Sequence, residues 1–83
     1  MKLEEVVKYL KYKNRDLLSG ILTSSEEHPI VYLDDDDFKN LGEYKILDFL
    51  AENKYLEKEE HGRLIYFVLT ELGKDCLASK YKS

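Results

Sequence analysis

The chain has 83 residues, enough for one domain and too few for two. Its 43% apolar fraction and seven tyrosines supply a core and argue against disorder. Its single cysteine, Cys76, excludes an internal disulfide, and neither histidine stands at zinc-motif spacing from it, so a reducing, cytosolic setting without a bound metal or other cofactor is expected. The net charge of −4 runs against the basic balance of a DNA-binding domain and is unevenly spread: residues 26–60 carry twelve acids and four bases, while the flanking segments are each +2.

The opening Met1-Lys2-Leu3-Glu4-Glu5 carries acids where a secretory leader needs an apolar run, and no stretch reaches the length of a membrane span, so a soluble protein is expected. Leu3, Val6, Val7 and Leu10 fall at i, i+3, i+4 and i+7 and predict a first helix, with Glu4 and Glu5 in its favourable first turn. The apolar pattern resumes at Leu17, Leu18, Ile21 and Leu22. Asn14 takes the slot between the two runs, which predicts a break near Lys13–Arg15 and a second short helix ending around Gly20–Ser24.

Thr23 to Pro29 is loop chemistry, and Pro29 holds His28 extended. Ile30–Leu33 follows as a short strand. The aspartates Asp34–Asp37 stand just before a helical pattern, where an acid caps exposed N–H groups and favours the positive end of the helix dipole. Gly42 interrupts that pattern, so residues 36–53 form either one weakened helix or a short helix, a turn and a longer helix. From Glu43 to Asn53, Ile46, Leu47, Phe49 and Leu50 share one side, and Lys45, Asp48 and Glu52 the other.

Asn53-Lys54 closes that helix, and residues 55–60 and 63–69 read as two strands joined by a two-residue turn at His61-Gly62. Thr70 then caps a terminal helix with Leu72, Cys76 and Leu77 on one side.

The run Ile46-Leu47-Asp48-Phe49-Leu50-Ala51-Glu52-Asn53-Lys54-Tyr55-Leu56-Glu57, followed by a hairpin and Leu69-Thr70-Glu71-Leu72-Gly73-Lys74, resembles the winged helix-turn-helix superfamily over residues 43–77. The resemblance implies an α+β domain spanning residues 1–83: a helical bundle, a β-hairpin wing in the carboxy-terminal half and a terminal helix. The family places a helix, a short strand and a second helix before the recognition helix. Here the strand follows two helical segments, so either the second is the tail of the first, with Asp36–Leu41 the true second helix, or the topology is a variant.

In DNA-binding members the recognition helix enters the major groove and the wing touches phosphate. The resemblance therefore implies a transcriptional regulator whose DNA contacts are Lys39, Asn40, Lys45, Lys58, His61 and Arg63. The acidic middle supports an alternative, a module binding a protein partner. A homodimer through the first and terminal helices is expected on the view that these are left over once the hairpin and central helices form a core.

Other features carry less. An EF-hand starting at Asp34 would place Lys39 at the glycine position and Lys45 at the bidentate acid, and one starting at Asp37 would place Lys39 and Leu41 at ligand positions, so the calcium loop fails in both registers. Lys8 to Arg15 is the densest basic and aromatic stretch, read either as a nucleic-acid track or as the solvated side of the first helix with its tyrosines partly buried. His28 and His61 read as loop residues and Cys76 as a small core residue. Without a phosphate-binding glycine loop, metal spacing or nucleophile elbow, an enzyme is not expected.

Overall fold

In a computed structural model, which describes residues 1–78, the two amino-terminal stripes become helices α1 (Leu3–Lys13) and α2 (Arg15–Thr23). The polar residue in the apolar slot separates them. Asn14 leaves the helical region at φ −149°, ψ 67°, its N–H still bonds the Leu10 carbonyl at the end of α1, and its side chain accepts from Leu17 N–H at 3.2 Å to cap α2.

Strand β1 (Ile30–Leu33) follows, then a single-turn helix α3 (Asp36–Lys39) and the longer α4 (Gly42–Glu52). Of the four aspartates it is Asp35 that caps, its side chain accepting from Asp37 N–H at 2.8 Å. Residues 36–53 thus take the second of the two expected forms, a short helix, a turn and a longer helix. α4 is closed beyond its Asn53 cap by Lys54, which has φ 70°. Lys54 N–H bonds the Ala51 carbonyl and Tyr55 N–H reaches back to that of Leu50, the paired bonds of a Schellman cap with lysine in the left-handed position that glycine usually fills.

Strands β2 (Leu56–His61) and β3 (Leu64–Leu69) form the hairpin, and the antiparallel sheet has the order β1-β3-β2. The turn lies one residue later than expected. His61 pairs with Leu64 and the loop is Gly62-Arg63, so His61 belongs to β2 and Arg63 to the turn. The cause is backbone sign: Gly62 has φ +63° and Arg63 is not in the positive region, the pattern of a type II′ turn with glycine first, whereas a turn at His61-Gly62 would place histidine there.

β3 runs into α5 (Glu71–Gly73) and a π-helical turn over Lys74–Ala78. The helix start is clasped to the beginning of β2. Thr70 Oγ1 donates to the Lys54 carbonyl at 2.7 Å and accepts from Gly73 N–H at 3.0 Å, while Thr70 N–H bonds the Tyr55 carbonyl. Gly73 is pressed onto that carbonyl so closely that a Cβ would stand 2.0 Å from its oxygen. This contact corrects the expected inner face of the segment: Gly73 and Leu77 point inward, Cys76 is half-buried, and Leu72 is exposed.

One core joins every layer. Val6, Val7 and Leu10 of α1, Leu18 and Ile21 of α2, Tyr44, Ile46, Leu47 and Leu50 of α4, Leu56, Ile65 and Phe67 of the sheet, and Leu77 are buried together. Each such side chain contributes about 2 kcal/mol by leaving water. Because α1 and Leu77 are spent in this core, the first and terminal helices are not left over, and the ground on which a dimer through them was expected falls away.

Candidate functional site

The outward side of α4 and the inner side of β2 enclose an open groove of about 640 Å³, bordered by Asp48, Glu52, Lys54, Leu56, Glu57 and Lys58. The spacing of α4 puts Asp48 and Glu52 on the groove because Ile46, Leu47 and Leu50 are drawn into the core. Lys58 leans across the groove. Its Nζ donates to Asp48 Oδ1 at 3.0 Å and stands 5.6 Å from the centre of the Tyr44 ring. Burial pulls the Lys58 ammonium down, but Asp48 and Tyr44 outweigh it and hold it above the ordinary lysine value.

The six residues expected to meet DNA do not converge. Lys45 is exposed one turn before Asp48 on α4, on the side of the helix that carries the Asp48–Lys58 pair. Lys39, on α3, is ion-paired to Asp34, and that hydrogen bond raises its pKa. Asn40 caps the end of α3 with its backbone and is exposed. His61 alternates with Lys58 and Glu60 along β2, so it lies on the opposite face of the sheet, stacked on Tyr66 at 4.7 Å with Nε2 2.8 Å from Glu59 Oε2. Arg63 is exposed in the turn, and its carbonyl accepts from Asp34 N–H at 2.7 Å. Ion pairs this exposed are largely screened by solvent, so the acids around the lysines matter more than the pairs themselves. β2 sets Glu57, Glu59 and Glu60 against Lys58 alone.

Two contacts here carry no sequence signal. Glu43, at the start of α4, accepts from Asn14 Nδ2 at 3.3 Å and from the Tyr32 hydroxyl at 3.1 Å, joining the α1–α2 junction to β1. Burial, then the bond to Glu43, pushes the Tyr32 phenol up to about 12. Tyr32, Tyr44 and Phe67 meet edge to face with centroids 5.7 to 6.3 Å apart, fixing α4 to the sheet.

On α1, Tyr12 is 68% exposed and Tyr9 43%, more open than expected, with Lys8 and Lys13 exposed beside them. Among the described residues, no group of three His, Cys, Asp or Glu is placed to hold a metal ion, and no helix is long and apolar enough to cross a membrane. Comparison with protein-family models, curated proteins and solved structures finds no match.

Proposed function

We propose that the protein is a non-catalytic winged-helix module of the cytosol that binds another protein through its acidic helix–wing face. The order helix, strand, helix, helix, hairpin from α2 to β3 is the order the superfamily uses, with α1 added in front. On this reading α3 and α4 are the helix-turn-helix pair and β2–β3 the wing. The observation that carries the choice of partner is the charge of the wing: its first strand carries glutamates on both faces, Glu60 on the side of Lys58 and Glu57 and Glu59 on the other, and its one lysine is turned onto Asp48. A phosphate backbone would meet repulsion there, whereas a basic protein surface would find complementary charge.

Duplex DNA is the second reading. It is favoured by the exposed Lys45 and Arg63 and by the open Lys8, Tyr9, Tyr12 and Lys13 of α1. Titration at low ionic strength separates the two. The protein-binding reading expects no retardation of random or genomic duplexes at micromolar protein. It also expects that a basic amphipathic probe peptide shifts the amide resonances of Asp48, Glu52 and Glu57 and is released by Glu52→Lys with Glu57→Lys. Salt-steep duplex binding that Lys45→Ala and Arg63→Ala weaken would overturn it in favour of DNA.

A further inference from the structure

The three-stranded sheet has two open edges, and they are built differently. Along β2 every residue from Glu57 to His61 is exposed and all but one of Glu57 to Glu60 are acids, the usual guard against further strand pairing. Along β1 the four residues are Ile30, Val31, Tyr32 and Leu33, with no charge among them. Val31 is 47% exposed and Leu33 46%, both on the sheet face away from the core, beside Tyr66 and Leu64 of β3.

The bonding phase of β1 shows which backbone groups are open. Asp34 N–H bonds the Arg63 carbonyl, and in an antiparallel ladder bonded pairs alternate, so Tyr32 and Ile30 also face β3. Val31 N–H, Val31 C=O and Leu33 N–H therefore point to the open edge, and the Leu33 carbonyl is taken by Asp35 N–H at 2.9 Å.

Beside that edge runs a groove of about 430 Å³, walled on the far side by Asn14, Asp16, Leu17 and Gly20. Gly20 lies inside α2, where glycine costs about 0.5–1 kcal/mol relative to alanine. Nothing in the fold asks for it: a Cβ there would meet no atom within 4 Å, and its φ is not positive. A chain laid along β1 would supply the reason, since a side chain at position 20 would stand in its path.

We propose that the β1 edge is a strand-addition site for an extended segment of another protein, apolar where it lies beside Val31 and Leu33 and basic at its ends. The occupant follows from charge. Glu26 and Glu27 precede the strand, Asp34–Asp37 follow it, and Asp16 and Glu43 line the groove. A second copy pairing antiparallel would set the Glu26–Glu27 end of one chain against the Asp34–Asp37 end of the other, acid upon acid. Main-chain bonds would supply affinity and the acids at both ends selectivity. The site is on the opposite edge from the helix–wing groove and stands whether or not that groove binds a protein.

The test uses a fluorescent probe peptide with alternating valine and threonine in its centre and two lysines at each end, beside the same peptide with backbone N-methyl groups on alternate residues. Charge and side chains are kept in the second, but one edge of it can no longer donate. Binding is read by anisotropy, and amide hydrogen exchange locates it. The plain probe is expected to bind at least about tenfold tighter than the methylated one and to slow exchange at Val31 and Leu33, while Tyr32 is already protected. Val31→Pro, whose lost N–H is an outward one that bonds nothing in β3, and Gly20→Gln are each expected to weaken the probe at least about tenfold, the second while raising the thermal midpoint. Equal binding of the two peptides, protection gained at Lys58 and Glu60 instead, no binding at millimolar probe, or binding indifferent to both substitutions would each overturn the proposal.

Discussion

The edges of the sheet are fastened by different means. β2 is held mainly by the backbone: a left-handed Lys54, the Thr70 N–H bond to the Tyr55 carbonyl and the close approach of Gly73 to that carbonyl at its start, with the Thr70 hydroxyl added on the Lys54 carbonyl, and a positive φ at Gly62 just past its finish. β1 is held by side chains that reach in from elsewhere, through the Tyr32–Glu43–Asn14 chain of hydrogen bonds and the packing of Tyr32 on Tyr44 and Phe67. Backbone devices are stiff and fail when one atom is added, whereas exposed side-chain bonds are each worth about 1 kcal/mol and can be lost singly.

The largest test of this contrast is Gly73→Ala. With the Tyr55 carbonyl oxygen 2.0 Å from the new Cβ, α5 must move away from the start of β2, and a loss of about 3–5 kcal/mol is expected in urea unfolding. Gly62→Val should lose less, about 1–2 kcal/mol, because a turn at the tip of a hairpin can rearrange toward solvent. Lys54→Gly carries the opposite sign. Relieving the left-handed lysine should stabilise the protein by about 1 kcal/mol, seen as a higher midpoint with an unchanged slope.

On the β1 side the expected effects are smaller. Glu43→Ala, which cuts both the Tyr32 and Asn14 bonds, should cost about 1 kcal/mol or less. A cost equal to that of Gly73→Ala would erase the distinction between the two edges.

The pH dependence of Tyr32 sharpens the same point. Its pKa in the folded chain, about 12, lies above the ordinary 10.0, so folding favours the protonated phenol. That contribution is complete below pH 10.0 and is lost as pH rises through about 12. One tyrosine should therefore ionise late in an ultraviolet titration, and Glu43→Gln should bring it earlier.

The contrast also explains what could be read from the residues in advance. The Asn14 break, β1, the aspartate cap, the close of α4 and the Thr70 cap are local, and each has a residue type that physical chemistry assigns to it. The hairpin is legible, but a turn at His61-Gly62 falls one residue early, because the register follows from Gly62 taking the positive φ in first position and not from the dipeptide as a whole. Leu72 misled because hydrophobic periodicity cannot register that a glycine, one position on, is the residue that makes the contact.

The candidate site was less legible still. Lys39 and Lys58 stand out in a sequence as bases, but Asp34 and Asp48 become their ion-pair partners only through the fold, at separations that depend on where α3 ends and how α4 faces β2. Glu43 had no signature at all, since its partners are Asn14 and Tyr32.

The sheet order has a further consequence, for the moment of synthesis. Among the described residues β1 pairs only with β3, so after Leu33 has left the ribosome it must wait until Leu64 and its successors follow. The β2–β3 hairpin, by contrast, closes on itself over a two-residue loop as soon as both strands emerge. Through that interval an uncharged Ile-Val-Tyr-Leu segment is bare on both edges, between two glutamates upstream and four aspartates downstream. In a nascent chain those acids repel other copies of the same segment and keep it single until its partner arrives.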